Sequence, residues 1–258
     1  MQIGGVVLNT VIVYLIFAVL SIGLLILAEV LVKTGILSKN YGWTLILIRY
    51  IIAIVALILY SQRVVHNKFN FEFDLKWPSI IGWVVTLIFI VFNFWYIGDN
   101  DFTLSNNGLS SLLYCLGPAI FEELWLRGLI FNRLRIVNKL DHPLFKATFI
   151  SAALFAVLHL ILPDYSNWLD LLTQIITAFG LGVLFAGIYC ITNNLALTML
   201  IHFSENFNSY FITYLPWFDD FDLNDFIVNL IQTFIYLIIG IFLLWLFWRK
   251  KNSVKRND

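Results

Sequence analysis

Residues 108–135 read GLSSLLYCLGPAIFEELWLRGLIFNRLR. The run is long and apolar enough to cross a bilayer, which takes about 20 residues. Yet its middle carries Glu122, Glu123 and Arg127. An ionisable group in hydrocarbon is costly and marks a functional position unless a partner neutralises it. Whether this segment is a membrane span decides the fold, and the remainder of the chain supplies the answer.

Of the 258 residues, 60% are hydrophobic and 12% are charged, about half the roughly 25% of a soluble domain. Apolar runs recur from end to end. They predict eight helical spans at 6–33, 41–61, 78–97, 108–135, 144–161, 168–192, 194–214 and 226–248. The expected fold is an all-α polytopic transmembrane helical bundle with about eight spans. It forms a single domain over 1–258, with a motif-bearing core at 108–210 and a frayed basic tail at 249–258. The N-terminal stretch MQIGGVVLNTVIVYL has no basic region and no small-residue cleavage site, so it reads as a retained span rather than a signal peptide. Net charge is zero, which says nothing about a polyanionic partner. Cys115 and Cys190 both fall in apolar runs and read as small buried hydrophobes rather than a disulfide or metal pair.

Turn signals separate the spans: Lys39-Asn40-Tyr41-Gly42, Asp141-His142-Pro143, Leu162-Pro163-Asp164 and Thr192-Asn193-Asn194. Pro143 suits the first helical position. Cytoplasmic loops of membrane proteins are enriched in Lys and Arg. With eight spans the two termini share a side. Placing them in the cytoplasm puts twelve Lys and Arg in inside loops against Lys33 and Lys39 outside. The acidic stretch Phe218–Asp225 then falls outside as well. Arg49 and Arg127 lie within spans.

Helix rise places Glu122 roughly 20 Å from the cytoplasmic end of its span, His159 roughly 22 Å, His202 roughly 12 Å and Asn206 roughly 18 Å. Convergence at one level argues for a shared polar cavity. Helical neighbours point about 100° apart, so Glu122 and Glu123 cannot share a face. Glu123 and Arg127, spaced i, i+4 with the acid first, suit an ion pair. Glu122 is left without a partner in its own helix, a position suited to a general base or acid. His202 and Asn206, also i, i+4, present an imidazole and an amide that can both donate to a developing oxyanion. Gly117-Pro118 removes a backbone hydrogen bond and is expected to kink the span. Glu205 reads as rim or structure. Glu29 and Arg49 lie within the first two spans as candidate partners of each other.

Three ordered motifs carry a resemblance: Glu-Glu-x-x-x-Arg at Glu122, Glu123 and Arg127; Phe-x-x-x-His at Phe155 and His159; and His-x-x-x-Asn at His202 and Asn206. The set resembles the CAAX protease and bacteriocin-processing family, also called the abortive-infection family, of metal-independent glutamate-type intramembrane endopeptidases. It is similar to the type II CAAX prenyl endopeptidases. The resemblance covers about residues 108–210. It implies that Glu122 and His159 activate a water, that His202 and Asn206 form an oxyanion hole, and that Glu123, Arg127 and Phe155 support the site. It implies no cofactor, and a substrate that is a peptide or membrane protein, prenylated or a bacteriocin precursor. The expected partners are that substrate and the lipid bilayer, with no nucleic acid. It also implies a link to bacteriocin processing or self-immunity and a bacterial cell membrane.

Three other readings compete. Glu122, His159 and His202 are zinc-ligand types, which would make a zinc-dependent membrane protease, although no His-Glu-x-x-His is present. A non-catalytic immunity or scaffold protein would use the same residues as structure. A transporter would use membrane acids as a proton relay, but no pair of similarly interrupted spans marks two repeats. No Ser or Cys stands by a His at triad-like spacing in the motifs, which disfavours a nucleophilic mechanism.

Overall fold

A computed structural model describes residues 3–36, 42–98, 108–136, 142–161, 167–213 and 222–254. These residues are nearly all helical. The helices are α1 (Ile3–Lys33), α2 (Gly42–Tyr60), α3 (Ser79–Gly98), α4 (Gly108–Glu123), α5 (Asn132–Arg135), α6 (Pro143–Leu158), α7 (Trp168–Thr192), α8 (Leu195–Thr213) and α9 (Leu223–Val254). A π-helical stretch, Leu124–Phe131, joins α4 to α5, another, Ser61–Val65, extends α2, and a 3-10 turn, His159–Ile161, ends α6. Among the described residues there is no strand, only an isolated bridge between Phe71 and Asn194.

Four stretches are long and apolar enough to cross a membrane: Leu15–Lys33, Leu47–Val65, Trp168–Thr192 and Leu223–Lys251. Ser79–Trp95 and Pro143–Leu158 are shorter apolar helices. The protein is an integral membrane protein with a helical core.

That core is built on α7. Without a hydrophobic force between spans, helices associate by close packing at small residues. A Cβ on Gly187 would come within 2.7 Å of the Gly240 carbonyl oxygen, and one on Gly240 would lie 2.8 Å from the backbone of Val183 and Leu184. Backbone therefore meets backbone between α7 and α9. The Thr177 and Thr233 hydroxyls add a hydrogen bond of 3.3 Å across the same seam. On its other sides α7 packs against α6 and α3.

One end of the bundle is closed by a polar clamp. The chain leaves α2 through His66, in the left-handed region at φ 53, and runs extended past Asn193, whose φ is 51. Glu72 N donates to the Asn193 carbonyl at 3.2 Å, and Leu195 N to the Asn70 carbonyl at 3.0 Å. The Asn193 amide reaches Glu72 Oε1 at 2.6 Å, and the Asn194 amide reaches the Glu72 carbonyl at 2.8 Å. Along this run Phe71, Phe73, Leu75 and Trp77 are exposed.

Several sequence expectations need correction. Glu29 and Arg49 do not pair. Glu29 takes the nearer cation, Lys33, at 2.6 Å, one turn along on an exposed face. Arg49 is buried over the ring of Tyr50, 4.3 Å from its centroid. The helix α4 continues through Pro118, and its irregularity begins later, at Leu124. The basic tail is not frayed from its start, because α9 runs on to Val254, with Arg249 over the Trp245 ring one turn earlier. Cys115 and Cys190 are free and buried. The expected turn residues 39–41, 141 and 162–164, the acidic residues 218–221, and tail residues 255–258 lie outside the described residues.

Candidate active site

The π-helical stretch begins directly after Glu123. In a π turn each N–H reaches back five residues. Arg127 follows Glu123 by four residues, and its Nη1 donates to Glu123 Oε1 at 2.7 Å with both side chains fully buried. The guanidinium lies between two rings, 4.7 Å from the centroid of Phe155 and 5.0 Å from that of Phe185. Room for it comes from Gly182 on α7, where a Cβ would stand 2.8 Å from Ala152 and 3.3 Å from Arg127 Nη2. The wide turn also leaves the Gly128 carbonyl to the side-chain amides of Asn67 and Asn132, each at 2.9 Å. Asn132 donates in turn to the Tyr189 hydroxyl at 2.8 Å.

His202, on α8, faces both glutamates. Its Nδ1 stands 3.2 Å from Glu123 Oε1, a hydrogen bond in which the ring must donate. Its Nε2 lies 3.8 Å from Glu122 Oε2, within ion-pair range but beyond a hydrogen bond. Phe185 stacks on the His202 ring at 5.5 Å, and Phe155 meets it edge-on at 5.4 Å. Phe155 also meets His159 edge-on at 4.9 Å. One ring therefore spaces two imidazoles and a guanidinium.

His159 closes α6. Its Nδ1 is 2.9 Å from the Phe155 carbonyl. A carbonyl oxygen only accepts, so Nδ1 carries the proton and the neutral ring keeps its lone pair on Nε2. His159 lies within Coulombic range of Glu122, His202 and Arg127. The Glu122 side chain is 20% exposed while that of Glu123 is 0%, so adjacent carboxylates occupy different surroundings.

Glu122, Glu123, Arg127, Phe155, His159 and His202 are therefore gathered from α4, its π extension, α6 and α8. Asn206 lies one turn beyond His202, half-buried, with its amide donating to the Cys115 carbonyl at 3.3 Å. Its hydrogen bond thus goes to the α4 backbone. Glu205 is no rim residue. It is buried and accepts a hydrogen bond of 2.9 Å from the Tyr236 hydroxyl on α9. Among the described residues no three or more His, Cys, Asp or Glu side chains are placed to hold a metal ion.

Sequence reasoning missed Phe185, Gly182 and Tyr50. Phe185 and Gly182 sit in an apolar run, FGLGVLFAG, that gives no sign of which ring or gap will face a cation. Tyr50 packs against α4 at Gly117, where a Cβ would come within 2.5 Å of its ring, and it lies within Coulombic range of Glu122.

This set of residues lies wholly inside one recognisable segment. Residues 104–208 match the family described as type II CAAX prenyl endopeptidase Rce1-like. No curated protein and no solved structure matches the chain. The Rce1-like segment holds every motif residue from Glu122 to Asn206, while α1, α2, α3 and α9 fall outside it. The Rce1-like family is a family of proteases, which supports a membrane protease whose substrate is a peptide or protein.

Proposed function

We propose that the chain is an intramembrane endopeptidase that hydrolyses a peptide bond without a covalent intermediate. The observation that carries this reading is the partly exposed carboxylate of Glu122, 3.8 Å from His202 Nε2, with His159 packed on the same Phe155 ring as His202, within the Rce1-like segment.

In this mechanism Glu122 takes a proton from a water that His159 Nε2 helps to hold. The water oxygen bonds to the scissile carbonyl carbon, and the carbonyl electron pair moves onto its oxygen. His202 Nε2–H and the Asn206 amide donate to that oxyanion. The His202 role requires a doubly protonated ring, with Nδ1–H donating to Glu123 and Nε2–H aimed at the substrate. With both glutamates ionised, Arg127 and this ring make the group neutral. Collapse of the intermediate breaks the C–N bond, and the proton on Glu122 passes to the leaving amine. Asn206 must release the Cys115 carbonyl to take part. No step uses a metal.

The chain in this reading crosses the bilayer eight times, with both termini in the cytoplasm. The clamp between 70–72 and 193–195 supports it. Two loops at the same end of a bundle need an even number of crossings between them. Trp168–Thr192 alone would give one, so one further crossing or three restores the parity, and crossings by α3, by α4 with its extension, and by α6 would supply three. A bacterial peptide precursor processed for bacteriocin maturation or self-immunity is the substrate class we assign.

The test is terminal peptidomics on membranes and medium from cells expressing the wild-type chain or Glu122→Gln at matched levels. New peptide ends seen only with the wild type are expected. No difference, with any protective phenotype intact in Glu122→Gln, would leave a non-catalytic immunity or scaffold protein.

A further inference from the structure

Two cations converge on the end of α7, and no described carboxylate answers them. Tyr189 and Cys190, near the C-terminus of α7, are both buried. The Asn132 amide sets α5 at their level through its 2.8 Å bond to the Tyr189 hydroxyl. Arg135 closes α5. It is half-buried, with its guanidinium 5.5 Å from the centroid of Tyr189 and 5.6 Å from that of Phe131. Lys251 arrives from the last turn of α9. Gly240, Leu243 and Leu244 form the face of α9 that packs on α7. Lys251 stands two helical turns beyond Leu244 on that same face, and it is exposed. Both bases lie within Coulombic range of Cys190.

Like charges drawn to one place repel unless an anion meets them. The nearby elements supply none: α5, α6, α7 after Asp170 and α9 after Asp225 contain no Asp or Glu. Glu72, in the clamp at this end, accepts the Asn193 amide. Among the described residues no carboxylate lies within ion-pair distance of Arg135 or Lys251. The C-terminal end of α7 attracts cations, but a helix end amounts to roughly half a unit charge, against two full ones. An anion held by both bases would turn their repulsion into two attractions.

The surroundings say which anion. Trp245 and Trp248 are 41% and 46% exposed, and Ile136, next to Arg135, is 70% exposed. Arg249 covers the Trp245 ring at 4.7 Å. Exposed tryptophans among bases mark the level of the lipid headgroups, and basic pockets between spans bind those headgroups. A zwitterionic lipid would bring its own cation to this basic end. A phosphodiester carrying an uncharged alcohol would not. We propose that Arg135 and Lys251 hold the phosphate of an anionic phospholipid such as phosphatidylglycerol. The lipid would then tie α9, which lies outside the Rce1-like segment, to α5 within it. The site is separate from the glutamate cluster and stands whether or not the chain is a protease.

The experiment titrates full-length protein in detergent with phosphatidylglycerol or phosphatidylcholine of the same chains. Native mass spectrometry counts bound lipid, and thermal melts read stability. Phosphatidylglycerol is expected to bind more tightly and to raise the melting temperature. Arg135→Gln and Lys251→Gln should each weaken its binding roughly fivefold to tenfold, and the double variant roughly twenty-fivefold to a hundredfold. Lys251→Glu should abolish the preference between the lipids. Lys68→Gln, at an exposed base of the extended run, should leave it unchanged. Equal binding of the two lipids, or a preference unmoved by Lys251→Glu, overturns the proposal. So does an equal loss in Lys68→Gln, which would reduce the effect to the general charge of this end. Glycerol phosphate that stabilises as well as the lipid would make this a site for soluble phosphate and overturn the lipid assignment. Should Arg135→Gln fail to accumulate, Lys251→Glu decides alone, because that side chain is exposed and no core depends on it.

Discussion

Two carboxylates are buried beside His202, and different chemistry holds each. Glu123 comes from α4 and is met by a full cation, Arg127, and by the His202 ring. Glu205 comes from α8 itself and is met by a phenol, Tyr236, which also receives the Gln232 amide. Alongside it the Asn93 amide donates to the Ser204 hydroxyl at 2.9 Å, joining α3 to α8. The first cluster balances charge next to a partly open carboxylate. The second fastens three helices with neutral donors. A buried acid in a membrane helix therefore does not mark chemistry by itself; its partners and its nearness to an exposed acid do.

That contrast can be broken most sharply at Glu122. Glu122→Gln keeps size and hydrogen bonding but cannot act as a carboxylate base. Cleavage should fall by about 10²- to 10⁴-fold, while the amount of protein in the membrane stays at the wild-type level. A loss of protein along with activity would move Glu122 to the structural side.

Arg127→Ala should act in the opposite way. It strands Glu123 in a site with no solvent, at a cost of about 3–5 kcal/mol, and the protein should fail to accumulate. Replacing both partners, Glu123→Leu with Arg127→Met, should recover much of the folded yield, because an apolar pair needs no compensation. Immunoblots of membranes and thermal melts in detergent read both. An abundant but inactive Arg127→Ala protein would give Arg127 a part in the reaction instead.

Gly182→Val should cost about 3 kcal/mol, the upper end for overpacking, because its new atoms meet the Ala152 backbone and crowd Arg127. Smallest of all, Tyr236→Phe removes one hydrogen bond to Glu205 and should lower stability by about 1–2 kcal/mol. Peptide cleavage should persist. If Tyr236→Phe abolished cleavage at normal protein levels, the two clusters would have to be treated as one.

Much of this contrast was legible in the residues. The spacing of Glu123 and Arg127 announced their pair, because i, i+4 neighbours meet whatever else surrounds the helix. The 100° step between Glu122 and Glu123 separated their environments for the same local reason. The helical segments were readable from apolar runs and punctuation. What was hidden depends on the azimuth at which helices face one another. Nothing local shows that Tyr236 will reach Glu205, that Phe185 will cover His202, or that Arg49 will turn from Glu29 toward Tyr50. The π-helical turn at Leu124–Phe131 was also out of reach, since its sequence suits an ordinary α-helix and its Gly128 carbonyl is answered in part by Asn67, far away in the chain.

The glycine contacts also say where this bundle can give. At Gly187 and Gly240 the neighbours are main-chain atoms, which cannot swing aside. At Gly117 the neighbour is the ring of Tyr50, which can. Only 7% of the described residues of Leu15–Lys33 are buried against 78% of those of Trp168–Thr192, so the covering on the α1 side is also the thinner. Mechanical compliance is therefore one-sided. The wall made by α7 and α9 is stiff, and the seam between α2 and α4 yields to the rotation of a single aromatic side chain.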